Sequence, residues 1–205
     1  MINPNETFIH LIAPKDKRTW SEIWVKCYNI WMSSPYKIKL WDDEEIDPLL
    51  NNENPEFFQL LNKCPKIYKY DYARYFILEE FGGAYFDMDV EIHQDFLHLL
   101  KNDKVYFAEG FLGGIEGNII VNKGKIRHIF YHLRLFIQDI LRKSTTYNWE
   151  DVIEKTGPYV LSTFLGKYMM HNRHDVQLLS YLHFANPDSD IKFATHHFTN
   201  SWHGK

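Results

Sequence analysis

Residues 70–90 read Tyr70-Asp71-Tyr72-Ala73-Arg74-Tyr75-Phe76-Ile77-Leu78-Glu79-Glu80-Phe81-Gly82-Gly83-Ala84-Tyr85-Phe86-Asp87-Met88-Asp89-Val90. The spacing predicts a helix over 70–81, because Ala73, Phe76, Ile77 and Phe81 fall on one face. Gly82-Gly83 ends it, since glycine accepts the left-handed backbone common just past a helix. Ala84 to Val90 then reads as a strand. On this reading Asp71 and Arg74 project from one side of the helix, and Asp87 and Asp89 from one face of the strand. Ligands of open α/β sheets gather beyond the carboxyl ends of strands. Two carboxylates there, beside an arginine, suit a cation and a phosphate. Oxygen ligands favour a hard ion, Mn²⁺ or Mg²⁺, over zinc or copper.

Outward from this stretch, strands and helices alternate. Phe8 to Ala13 reads as a strand stopped by Pro14. Thr19 to Glu22 fits a capping box, followed by helical spacing of Trp20, Ile23, Trp24, Cys27 and Trp31. Tyr36 to Trp41 alternates as a second strand. Asp42 to Pro55, acidic and Asn-rich, reads as loop or short turns, and Glu56 to Asn62 as a short helix. Further expectations are strands at 105–108, 118–121, 176–179 and 191–198, and helices at 126–141 and 159–169. The pattern predicts one α/β domain over 1–205 with a central mixed, mostly parallel sheet flanked by helices.

Composition bounds the function. The chain has 205 residues, 45% of them hydrophobic and 17% aromatic, enough for a packed core with aromatic surface left to stack on sugars or bases. Net charge is −4 with no long basic run, which argues against nucleic acid. Cys27 and Cys64 form no metal-binding pair, and Cys27 falls on an apolar helix face as a buried thiol. No signal peptide and no apolar run long enough to span a bilayer is visible, so the expectation is a cytoplasmic, soluble protein.

Residues 70–90 resemble the sugar-binding segment of the DXD-motif glycosyltransferases. That family includes the yeast initiating mannosyltransferase, bacterial capsular-polysaccharide sugar transferases and, more distantly, the large clostridial glucosylating toxins. Its pattern, D-x-x-R-Y-x-x-L then G-G-x-Y-x-D-x-D, is met by Asp71, Arg74, Tyr75, Leu78, Gly82, Gly83, Tyr85, Asp87 and Asp89. Phe8 to Ile12 resembles the family's opening strand without its Pro, Lys and Trp. Pro35-Tyr36 through Leu40-Trp41-Asp42-Asp43 resembles its N-P-x-Y-x-x-x-L-W-D-D. The likeness is strong over about 7–90 and faint beyond.

The resemblance implies a GT-A fold and transfer of a hexose, with retention of configuration, from a nucleotide sugar to a glycan or glycoprotein. UDP-sugars, UDP-glucose first, are the expected donors and GDP-mannose the alternative. It also implies roles. Asp87 and Asp89 engage metal and ribose, Tyr85 lies near the nucleotide, and Asp71 and Arg74 hold the donor sugar. Backbone of Ile9, His10 and Leu11 frames the base. The donor part is expected over about 7–122 and the acceptor-side and closing part over about 123–205.

The tail resembles a closing H-x-x-x-G-S-W segment with Asn200 in place of Gly. His197 is the expected third metal ligand, with His203 in reserve and Ser201 and Trp202 beside the diphosphate. Thr156-Gly157-Pro158 is similar to a family turn on the acceptor side. Glu109, Glu116, Asp188 and Asp190 are weaker candidates for a catalytic base, and a zinc site from His171, His174 and the tail lacks a motif. Two rivals exist. A D-x-D phosphatase would want Thr or Val where Glu91 stands, and a non-catalytic sugar-binding module would release no nucleotide.

Overall fold

The computed structural model describes residues 8–110, 113–124, 126–184, 186, 188, 190 and 192–199. Its elements begin with β1 (Phe8–Ile12), α1 (Glu22–Met32), β2 (Lys37–Trp41), α2 (Asp43–Glu53), α3 (Pro55–Leu61), α4 (Lys66–Phe81), β3 (Gly83–Phe86) and β4 (Val90–Ile92). There follow β5 (Val105–Glu109), β6 (Ile115–Asn122), α5 (His128–Lys143), α6 (Val152–Lys155), α7 (Pro158–Asn172), β7 (Val176–Leu179), α8 (Tyr181–Phe184) and β8 (Ala194–His196). Six strands form one sheet in the order β2-β1-β3-β6-β5-β7, and β4 pairs with β8 in a second. β1 runs parallel to β2 and β3, and β5 to β7, while β6 is antiparallel to both its neighbours. The expected mixed, mostly parallel α/β sheet is what forms.

Alternation along the strands separates two cores. Tyr85, Phe107 and Ile120 face α4, α5 and α7, whereas Ala84, Phe86, Ile119 and Val121 face Trp20, Trp31 and Phe96. α4 is buried on nearly every side, Asp71 to Leu78 without interruption. It stops at Gly82 (φ 67°), and Gly83 (φ 86°) starts β3 at once. A Cβ at Gly83 would lie 2.4 Å from the Phe8 carbonyl, so only glycine lets β3 close against the start of β1.

His10 locks the same corner. Its ring is fully buried and accepts the Trp41 indole N–H at Nδ1 (3.1 Å), so the proton sits on Nε2 and is donated to the Gly82 carbonyl (3.0 Å). Burial holds this imidazole down at about 4, and it stays neutral.

Several expectations are corrected. Residues 43–53 are helical, not loop: Asp42 caps the turn through Glu45 N, three acidic residues follow, and Ile46 and Leu50 bury one face despite Pro48. Ser21, not Thr19, caps α1, accepting from Trp24 N. α4 begins four residues earlier than expected, so Asp71 lies well inside it. The strand expected over 84–90 breaks after Phe86, and a turn closed by Val90 N to the Asp87 carbonyl (3.0 Å) carries Asp87 to Asp89. Of the expected strand 191–198, residues 194–196 are strand. Helices α6 and α8 had no counterpart in the sequence reading.

Candidate active site

Four elements converge at the carboxyl edge of β1 and β3. Because Gly82 joins α4 to β3 without a loop, the chain from Asp71 to Gly82 retraces the strand. That is roughly 16 Å of helix over roughly 13 Å of strand, so Asp71 and Arg74 return to the level of Asp87. The antiparallel β6 supplies Glu116 to Asn118 on the same edge, where Asp87 N donates to the Asn118 carbonyl (2.9 Å). Pairing of Val90 with His196 brings the tail alongside. These residues, with Ile12, Pro14, Trp149 and Pro158, wall a cavity of about 430 Å³.

The polar stem is buried and closely bonded. Arg74 Nη2 donates to Asp71 Oδ1 (2.6 Å), Arg74 Nη1 to the Gly117 carbonyl (2.8 Å), and Asp87 lies 3.5 Å away. Thr156 Oγ1 donates to the other Asp71 oxygen (2.7 Å), and Tyr85 OH to Asp87 (2.8 Å). The guanidinium stacks over the Tyr85 ring at 4.9 Å. A Cβ at Gly117 would meet Arg74 Nη1 at 2.8 Å, so glycine there makes room for the arginine.

Asp89 ties down the tail. Its Oδ2 accepts from Thr199 N (2.9 Å) and Thr199 Oγ1 (2.8 Å), and its Oδ1 lies 3.3 Å from His196 Nε2. Burial alone would raise this carboxyl, but the His196 and Thr199 hydrogen bonds outweigh it and hold it at about 2. Burial would lower His196, yet the Asp89 carboxylate beside it raises it on balance.

One atom each of Asp87, Asp89 and His196 lie within 4.8 Å of one another, the one such metal-competent group among the described residues. Two carboxylate oxygens and an imidazole nitrogen suit a divalent ion of the Mn²⁺ or Mg²⁺ type. Three buried polar atoms of residues on the cavity wall, Trp24 Nε1, Arg74 Nε and Asn118 Oδ1, have no partner among the described residues. Buried polar groups are ordinarily satisfied, so these atoms are open to water or a ligand.

Asp71, Arg74, Tyr85, Asp87 and Asp89 are thus brought together as the sequence reading expects. His197 is not among them: its Nε2 reaches Glu91 (2.8 Å), on the other side of β8, and His196 takes the place at the aspartates. Counting back four residues from Asn200 in the H-x-x-x-G-S-W likeness lands on His196, so this signal was present in the sequence. Ile9, His10 and Leu11 do not line the cavity either. They are fully buried between β2 and β3, and the chain first reaches the cavity at Ile12, the last residue of β1, and at Pro14 beyond it.

Ser201, Trp202 and His203 lie outside the described residues, as does Asn200. Glu116 lines the cavity, whereas Glu109, Asp188 and Asp190 do not. His171 and His174 join no metal-competent group among the described residues, and His174 pairs with Asp175 (3.1 Å). Asn118, whose side-chain amide meets His196 Nδ1 at 2.7 Å, and Thr156 were missed as side chains. A polar Asn in the apolar run of β6 was the available hint.

A mixed sheet with an acidic turn beyond its parallel strands defines a GT-A glycosyltransferase fold. A solved structure named PaToxG glycosyltransferase shares it at TM-score 0.55 and 18% identity, over 80% of this chain and 70% of that one. Residues 21–106 match the family described as the glycosyltransferase sugar-binding region containing DXD motif. The chain carries that region, and Asp87-Met88-Asp89 is its DXD motif. Among curated proteins, it is 29% identical over 167 residues to inositol phosphoceramide mannosyltransferase 1 of Schizosaccharomyces pombe, covering 80% of this chain and 51% of that protein. It is 31% identical over 172 residues to the uncharacterized glycosyltransferase L373 of Acanthamoeba polyphaga mimivirus, covering 76% of this chain and 62% of that protein. The chain therefore spans about half to three fifths of the length of these relatives. No described helix is long and apolar enough to cross a membrane.

Proposed function

We propose that this chain transfers a hexose from a nucleoside-diphosphate sugar, with a divalent ion held by Asp87, Asp89 and His196. The observation that carries the reading is the convergence of those three side chains, within 4.8 Å, in a cavity that also holds Arg74. A divalent ion held there would supply positive charge against the diphosphate leaving group. Mn²⁺ is preferred over Mg²⁺ because an imidazole stands among the ligands.

The chain's own groups do the positioning. Asp71, fixed by Arg74 and Thr156, presents its remaining lone pairs to the sugar. Arg74 pairs with Asp71 and faces Asp87, offsetting their negative charge in a dry setting. Tyr85 orients Asp87. Ile12 and Pro14 replace Ile9 to Leu11 as the flank for the base. Trp149, Ile153 and Pro158, from the part expected on the acceptor side, form an apolar wall for the acceptor together with Ile67 from the donor part. Ser201 and Trp202 stay in the proposal as diphosphate contacts on the tail's family likeness alone.

The donor is a UDP-hexose, UDP-glucose first, and transfer retains configuration, both on the family resemblance. Relatives named as mannosyltransferases favour GDP-mannose as the second reading, and their acceptor, inositol phosphoceramide, belongs in the assay beside glycans and glycoproteins. The test is nucleotide release from a panel of UDP- and GDP-sugars with and without Mn²⁺. Metal-dependent release from one donor is expected. No release from any donor, with phosphate freed from simple monoesters instead, would overturn the proposal in favour of a phosphatase.

A further inference from the structure

We infer that Glu116 selects the donor sugar: its carboxylate accepts hydrogen bonds from hydroxyls of the transferred hexose and disfavours sugars that themselves carry a carboxylate. The inference rests on the donor-binding reading above and goes beyond it to the class of sugar.

Four carboxylates line the cavity, and three are already engaged by the protein. Asp71 accepts from Arg74 and Thr156, Asp87 from Tyr85, and Asp89 from Thr199. Among the described residues none donates to Glu116, although burial is deep enough to raise its carboxyl above the ordinary range. Its setting is built rather than incidental. A Cβ at Gly110 would lie 2.6 Å from Glu116 Oε1, so only a glycine beside it leaves the carboxylate its place. Gly117, next in the chain, leaves Arg74 Nη1 its place, and its carbonyl accepts from that nitrogen (2.8 Å), which holds the backbone from which Glu116 projects.

An ionised carboxylate accepts and never donates, so its partners are hydroxyl or amide hydrogens. The cavity sets Asp71, Asp87, Asp89 and Glu116 against Arg74, His196 and Lys66, the last of which is paired with Asp43 (3.0 Å). A bound divalent ion is matched by the diphosphate, which leaves the sugar end acidic. A neutral hexose fits that end, and a uronate meets an unpaired like charge.

The test measures binding of three probes by calorimetry with Mn²⁺ present: UDP, UDP-glucose and UDP-glucuronate. Where the guanosine series binds instead, the probes are GDP, GDP-mannose and GDP-mannuronate. For Glu116→Gln, affinity for the neutral sugar nucleotide is expected to fall about tenfold, with the bare diphosphate unchanged. Preference for the neutral sugar over the uronate should shrink by a similar factor, a gain that misfolding cannot produce. Gly110→Ala should repeat the loss by displacing the same carboxylate. Equal effects on diphosphate and sugar nucleotide, or unchanged discrimination against the uronate, would overturn the inference. Failure of the wild-type protein to bind any of the nucleotides would overturn the glycosyltransferase reading itself.

Discussion

Two buried histidines sit in opposite kinds of surroundings. At the closed corner of β1, β2 and β3, His10 has each ring nitrogen bonded to a neutral group and is held neutral. At the carboxyl edge, His196 lies between Asp89 and Asn118, beside Asp87, with an unpartnered amide oxygen close by. The first arrangement is complete without a ligand and fixes the chain. The second carries surplus negative charge and orphaned polar atoms, a state that a structural core does not ordinarily retain. Completeness of hydrogen bonding, more than burial, separates the residue that folds the protein from the residue that equips it.

The comparison breaks most visibly at the edge. Asp87→Asn should lower turnover by about 10²–10³-fold, while denaturant unfolding shifts little because Asp87 is partly exposed. Equal activity in that variant would remove the aspartates from the chemistry. Arg74→Met should be as severe but through stability. It leaves Asp71 buried and unbalanced, and breaking such a pair costs about 3–5 kcal/mol, read as a lower denaturation midpoint. A midpoint within experimental error of wild type would show that Asp71 needs no counter-charge.

The corner gives a pH signature. Unfolded, the His10 imidazole protonates near 6.5, but folded it resists until about 4. Between those values the unfolded chain holds the extra proton, so stability falls on acidification and is full above the upper value. The window amounts to roughly 3 kcal/mol. Unfolding free energies at pH 7 and pH 4 should therefore differ less, by about that amount, in His10→Gln, and an unchanged difference would sink the neutral-lock account. The smallest effect is expected for Thr156→Val. Asp71 keeps Arg74 but loses one hydrogen bond, for about a tenfold loss in kcat/KM.

How much was legible follows the same division. The α4–β3 hairpin, its glycines and the pairing of Asp71 with Arg74 could be read because short-range spacing fixes them. The convergence of Asp87 and Asp89 was anticipated for the wrong reason. A strand would have aligned them, and a turn does so instead because bonding to β6 ends at the Asp87 N–H and β4 leaves for a different partner. Helix α2 was hidden because Pro48 and its asparagines argue locally for loop, while the burial of Ile46 and Leu50 that decides the matter is tertiary. The choice between His196 and His197 depends on which face of β8 meets Asp89, and that is set by register with a strand over a hundred residues earlier. Likewise, that Ile12 and Pro14 reach the cavity while Ile9 to Leu11 do not depends on how far β1 is covered by its neighbours.

The most direct test of the central claim is manganese titration followed by electron paramagnetic resonance, with UDP or GDP present, on wild type, His196→Ala and His197→Ala. The account predicts tight binding of Mn²⁺ to wild type and to His197→Ala, and clearly weaker binding to His196→Ala. Weakening by His197→Ala with His196→Ala unaffected, or no nucleotide-dependent Mn²⁺ site in the wild-type protein, would contradict it.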